Sequence, residues 1–318
     1  LVHADTLRME CPPGKESRQF CNDIKQQFEA QTGHTLEFID LPPASNEKLS
    51  LFQQIFAAKD SGAIDLFLAD TVWIGVLDKH LLDLTDSVSD IRNDFFPNAF
   101  QNDIVNGRVK AIPAYMDAGA LFYRKDLLAK YGQKPPVTWS ELTRIATLVQ
   151  QGEREAGHQN FWGLVFQGKA YEGLTCNALE WVESQKGGSF IDTNGNITIN
   201  NQRAAQALDM AAAWIGKIVP PGALGYMEEE SRPVFQNGDA LFMRNWPYAY
   251  TLAQDRSSPI RGKVGVIPLP RSEDGTSVST MGGWHWAISA YTKNPKAALA
   301  LLKIVSSAES QKKGLTLM

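Results

Sequence analysis

Two short stretches set aromatic rings beside polar side chains and turn residues: residues 242–250 read FMRNWPYAY, and residues 281–288 read MGGWHWAI. Arg244, Asn245 and Pro247 interrupt the first apolar run, and Gly282-Gly283 interrupts the second. An indole or phenol face suits the C–H face of a pyranose, while the hydroxyls around the sugar's rim need partners such as Asp, Asn, Arg and Glu. Sites for small polar ligands are built this way, from apolar walls with a few placed polar groups. Trp246, Tyr248 and Trp284, each close to Pro or Gly, are the candidates, with Tyr115 and Trp73 in similar settings. The competing expectation is interior packing, because aromatic rings bury about 150–250 Å² each; Trp214 and Trp286 are assigned to the core on that ground.

Carboxylates are interleaved with the rings. The stretches ADTVW, YMDAG and KAYEG supply Asp70, Asp117 and Glu172, the last preceded by Tyr171. One carboxylate accepts from two sugar hydroxyls at once, and charged hydrogen bonds of this kind contribute about 1.5–3 kcal/mol each. A pair of acids flanking a scissile bond is also the machinery of a glycoside hydrolase, so a hydrolase using two of Asp70, Asp117 and Glu172 is the alternative reading. The other acids, including Glu228-Glu229-Glu230, are expected to be solvated or to cap helices. His3, His34, His80 and His158 have no second His or Cys at helical spacing, which argues against a metal site. His285, between two tryptophans, is placed at a pocket rim. The glycine motifs of nucleotide and dinucleotide sites and the serine-hydrolase elbow do not occur; no cofactor is expected.

The elements that must position these residues are legible as periodicity. DTLRMEC alternates as a first strand; Phe20, Ile24 and Phe28 lie four apart on one helix face, and Gly33 stops that helix. HTLEFIDL, then EKLSLFQQIFAAKDSG, then IDLFLAD continue as strand, helix and a strand apolar enough for burial on both faces. This order implies a parallel sheet with right-handed crossovers, whose ligands lie at the carboxyl ends of the strands. Asp70 closes the third strand there, with Trp73 just after it. Thr138 and Glu141 form a capping box opening a helix, and residues 140–260 read as mostly helical. Extended segments at 109–117 and 263–270 suggest two chain crossings between two lobes.

The totals agree. A chain of 318 residues, 43% hydrophobic, is long enough for two lobes. A net charge of −4 with only isolated basic pairs excludes a nucleic-acid surface, and no stretch approaches the roughly 20 apolar residues that span a bilayer. LVHAD at the start resembles what a signal peptidase leaves, with the mature chain beginning at Asp5 outside the cytoplasm. Cys11 and Cys21 either pair in an oxidising compartment or remain reduced; Cys176 is expected to be free and buried.

Six blocks in order, DLFLADTVWIG, AIPAYMDAGALFYRKDLLAKYG, FQGKAYEGLTCNALEWVESQKGG, GDALFMRNWPYAY, KVGVIPLP and GGWHWAIS, together resemble the extracytoplasmic solute-binding proteins of bacterial ABC sugar importers, most closely the trehalose/maltose (α-glucoside) branch. The likeness runs from Thr6 to Lys313. It implies an α/β fold, the two-lobe periplasmic binding protein fold of type II, with discontinuous lobes joined by a hinge and the ligand in the interlobe cleft. The N-lobe would comprise residues 1–112 and 266–313 and the C-lobe 113–265, with further C-terminal helices beyond 318. The resemblance makes Asp70 the N-lobe acid, Tyr115 and Asp117 the hinge-proximal pair, Trp246 and Tyr248 the C-lobe stacking platform, and Gly283 with Trp284 the facing wall. Glu16 and Lys48 fall in loops that reach the sugar, and Tyr171 and Glu172 in a block typical of the branch. The implied partners are an α-glucoside and the membrane permease, the implied state a monomer, and the implied work binding without bond cleavage.

Overall fold

The computed structural model describes residues 4–12, 15–42 and 44–317. The strands, in chain order, are β1 (Thr6–Glu10), β2 (Thr35–Ile39), β3 (Leu66–Asp70), β4 (Ile104–Val105), β5 (Arg108–Val109), β6 (Ile112–Ala118), β7 (Ala120–Arg124), β8 (Trp162–Val165), β9 (Ala240–Asn245), β10 (Val264–Ile267) and β11 (Met281–Ile288). The chain divides into two compact units, residues 1–116 with 282–318 and residues 117–281.

The first unit is built on a five-stranded sheet in the order β2-β1-β3-β11-β6. Strands β1, β2 and β3 run parallel, as their helical crossovers require, and β11 joins β3 antiparallel with Trp284 opposite Asp70 and Trp286 opposite Leu68. The sheet is therefore mixed rather than purely parallel. Side chains alternate across the pleat, so β3 feeds two cores. Leu66 and Leu68 join Phe28, Trp286, Leu301 and Leu302, whereas Phe67 and Ala69 join Phe52, Phe56, Trp73 and Ile74. The helix Lys15–Thr32 turns Ile24 and Phe28 inward and ends at Gly33, whose φ of 72° is the left-handed stop that its missing side chain permits.

The second unit carries the sheet β10-β7-β9-β8. The helix Trp139–Glu155 opens with the expected capping box: Thr138 Oγ1 accepts from Glu141 N at 3.2 Å and Glu141 Oε2 accepts from Thr138 N at 3.1 Å. Residues 140–260 are less helical than their composition suggests, because β8 and β9 lie within them as short apolar runs with no helical period of their own. Strand β9 is the larger departure. Arg244 and Asn245, which break its apolar run, are the last two residues of the strand and not a loop beyond it; the strand lies between β7 and β8 and buries both.

Residues 266–281, placed by sequence in the first unit, belong to the second. There β10 pairs antiparallel with β7, and Thr280 donates from its N to Glu180 Oε1 at 3.0 Å. Residues 113–116 belong to the first unit, and the chain passes between units at 116–117 and 281–282.

Cys11 and Cys21 form a disulfide across a sequence separation of 10, and Cys176 is free and buried. Closing so short a loop restricts the unfolded chain by about 2–3 kcal/mol. Urea unfolding of a Cys11→Ala/Cys21→Ala chain is expected to show a loss of that size, equal to the loss caused by dithiothreitol in the parent. Equal stability of the two chains under oxidising conditions would rule the bond out as a contributor.

Candidate functional site

In the first unit the focus is the end of β3 and the facing half of β11. Asp70 finishes β3 and caps the turn Thr71–Trp73, its Oδ1 accepting from Val72 N at 3.2 Å. Trp284, its neighbour across the sheet, is half-buried. Beneath Trp284 lie two further groups. Trp73 meets it edge-on, ring centroids 5.3 Å apart, and Lys48 Nζ sits 4.4 Å from the centre of the Trp284 ring. That ammonium is buried and is held by Glu10 Oε1 at 2.6 Å, while Glu10 Oε2 accepts from Leu68 N at 2.9 Å. Gly283 is required by the approach of β6: with φ at 151°, a Cβ there would lie 2.7 Å from Tyr115 O. Tyr115 is exposed.

In the second unit the focus is the end of β9. Arg244 is buried and forms a fork with Glu180, Nε to Oε2 at 2.8 Å and Nη2 to Oε1 at 2.5 Å, and its guanidinium carbon lies 4.1 Å from the centre of the half-buried Trp246 ring. Trp246 Nε1 donates to Glu228 Oε1 at 3.2 Å, and Tyr171 OH donates to Glu228 Oε2 at 2.7 Å. Tyr248 OH donates to Glu229 Oε1 at 2.7 Å, and Arg232 pairs with the same carboxylate. Cys176 Sγ donates to Glu172 Oε1 at 2.8 Å. Burial, with the carboxylates facing them, pushes the ionisation of Tyr171, Tyr248 and the Cys176 thiol upward, so all three remain protonated donors. Burial raises Asp117 to about 6; Arg244 opposes this and the charges of Glu172 and Glu228 add to it.

The residues singled out by sequence thus gather in two groups, one per unit. Asp70, Trp284, Gly283, Tyr115, Lys48 and Trp73 make the first, and Asp117, Tyr171, Glu172, Trp246 and Tyr248 the second. Their roles differ in detail. Trp73 is buried among Phe52, Phe67 and Ile74 and supports Trp284 from below. Lys48 is buried in its ion pair. The side chain of Glu16 and residues 1–3, including the cleavage-site residue Val2, lie outside the described residues. His285 does not stand at a rim: strand alternation turns it inward from Trp284, and its Nδ1 lies 2.7 Å from Asp103 Oδ1 with both groups buried. Glu229 is exposed and Glu230 caps its helix as expected; beyond that, Glu228 and Glu229 accept hydrogen bonds from the hydroxyl and indole groups of the candidate rings. Glu10 and Glu180 were not among the candidates, because nothing in the local spacing separates them from Arg8 of the same strand or from Glu172 and Glu183 of the same helix. Among the described residues no group of three or more His, Cys, Asp or Glu could hold a metal, and no helix is long and apolar enough to cross a membrane.

This pair of α/β units is the two-lobe periplasmic binding protein fold, and the comparisons with known proteins agree. The family model for bacterial extracellular solute-binding proteins matches residues 14–312, and the chain belongs to that family. A probable ABC transporter-binding protein of Deinococcus radiodurans is 44% identical over 314 residues, covering 98% of this chain and 74% of its own length. The maltodextrin-binding protein MdxE of Bacillus subtilis is 24% identical over 295 residues, 88% of this chain and 64% of its own. Among solved structures, maltose-bound T. maritima MalE3 aligns with a TM-score of 0.89 at 36% identity, covering 98% of this chain and 79% of that one. The family binds solutes and is not one of enzymes, so the hydrolase alternative falls.

Asp117 gives this site a pH signature. Its folded-state value of about 6 lies above the ordinary 3.8, so the folded protein holds its proton more tightly than the unfolded chain. The stabilisation this supplies is complete below about pH 4 and is lost as pH rises through about 6. After screening at a half-buried position the difference is about 1–2 kcal/mol. Urea unfolding at several pH values is expected to show that slope in the parent and a flatter one in Asp117→Asn; identical slopes would refute it.

Proposed function

We propose that the chain is the sugar-binding component of an ABC importer, working outside the cytoplasm as a monomer and handing an α-linked di- or oligosaccharide of the maltose or trehalose type to a membrane permease. The observation that carries this reading is the recurrence, in each unit, of a half-buried indole with carboxylates around it: Trp284 with Asp70, and Trp246 with Asp117, Glu172 and Glu228. A ring face and clustered acceptors answer the two faces of a pyranose. The names of MalE3, described as maltose-bound, and of MdxE support the sugar class. The Cys11–Cys21 disulfide supports an oxidising compartment.

In this reading one sugar engages both units, with Trp284 and Tyr115 on one side and Trp246 and Tyr248 on the other. Closure follows because the ligand gains contacts available only in the closed state. The β6 and β11 crossings are where the chain turns about its hinge.

A ligand that binds only the native state raises the melting temperature by mass action. Thermal unfolding with maltose, trehalose and maltotriose is expected to show a rise for at least one of them. Trp246→Ala and Trp284→Ala are each expected to weaken that sugar by about 1–3 kcal/mol while nearly preserving the ligand-free melting temperature. A melting temperature indifferent to every sugar would sink the proposal, and collapse of both variants would return the rings to the core.

A further inference from the structure

Both units contain the same three-part stack, and they build it from unrelated pieces. In the first, Glu10 at the end of β1 holds Lys48, from the helix Ser45–Ala57, under Trp284. In the second, Glu180, from the helix Glu172–Ser184, holds Arg244 of β9 against Trp246. All four charged groups are buried: Glu10 is 2% exposed, Lys48 8%, Glu180 1% and Arg244 3%. Stability alone does not explain them. A buried ion pair is commonly matched or bettered by apolar side chains of similar volume, because desolvating two charges offsets their attraction. What the two pairs share is where the cation ends up, within about 6 Å of a ring centre, the range over which an indole face attracts a cation. The two rings are the two that the proposed sugar stacks on.

We propose that Arg244 and Lys48 are positioning residues, each fixing the plane of one sugar-stacking tryptophan before the ligand arrives, with Glu180 and Glu10 present to hold that cation in place. The inference rests on the sugar-binding reading for its purpose, but the ring-holding itself is a property of the ligand-free protein. The cation anchors the indole through the ring quadrupole. In the second unit the effect extends one step further. The guanidinium over the ring favours hydrogen-bond donation by the indole N–H, which goes to Glu228, and Glu228 also receives the Tyr171 hydroxyl. Arg244 thereby sets the orientation of an acceptor as well as a wall. A ring already held in its bound orientation loses less freedom on binding, and this is the source of affinity in a preorganised site.

The test uses the 318-residue chain with the charge removed and the shape kept. Arg244→Met/Glu180→Gln leaves no orphaned buried charge, and Lys48→Met/Glu10→Gln does the same in the first unit. Near-UV circular dichroism of the ligand-free protein reads ring immobilisation, with Trp246→Phe and Trp284→Phe marking each indole's share of the signal. Each charge-free variant is expected to keep its far-UV spectrum and cooperative unfolding, to lose the signal assigned to its own tryptophan, and to bind maltose about 3- to 30-fold more weakly. Arg244→Lys, which keeps a cation over the ring, is expected to retain more of the signal than Arg244→Met/Glu180→Gln. An unchanged indole signal in both charge-free variants overturns the proposal, whatever the affinity. Should one pair fail to fold, the other carries the same test independently. A parent chain that binds no sugar, together with variants that lose the indole signal, would refute the sugar reading and leave the ring-holding intact.

Discussion

A charge taken out of water needs its counter-charge within reach, and the structure around both candidate rings follows from meeting that need. Strand β9 lies in the middle of its sheet, so Arg244 has no route to solvent. Glu180 must therefore come to it, which ties the helix Glu172–Ser184 to the end of β9. The same carboxylate accepts from Thr280 N, so the segment leading to β11 is fixed by that contact too. In the first unit Glu10 spans Lys48 and the backbone of β3 in the same way. One buried acid in each unit joins a helix to a sheet and leaves an indole lying on a cation.

That constraint also explains why an abundance of carboxylates here serves recognition. Glu228 and Glu229 already accept hydrogen bonds from Tyr171, Trp246 and Tyr248, and Glu172 from Cys176. Groups so engaged hold donors in place. Burial, with the charges of Glu172 and Glu228 adding to it and Arg244 opposing, raises Asp117 to about 6. A site that recognises hydroxyls is served by clustered acceptors, and the family to which the chain belongs binds solutes.

Much of this was legible in the residues, and the rest was hidden for physical reasons. Alternation was enough to read β1, a near-continuous apolar run to read β3 and period-four spacing to read the helix bearing Phe20, Ile24 and Phe28, and the Thr138–Glu141 cap was readable because both partners lie within one turn. Strand β9 was misjudged in character because Arg244 and Asn245 look like strand breakers until a distant glutamate is known to meet one of them; the partner is 64 residues away. The boundary between units was misplaced for a similar reason, since β10 belongs with β7 through a pairing that crosses more than a hundred residues of chain. Trp73 and Trp284 are both candidates by sequence, yet one is buried core and the other half-buried, a distinction made by Phe52 and Phe67 from other elements. Long-range pairing, whether of charges or of strands, leaves little trace in local spacing.

We propose that one sugar engages both units. Isothermal titration calorimetry with maltose tests it most directly, read together with analysis of the recovered sugar. The account predicts one molecule bound per chain, a negative heat-capacity change from covering the rings, and maltose recovered intact. Two independent sites per chain, or no heat with any α-glucoside, would contradict it.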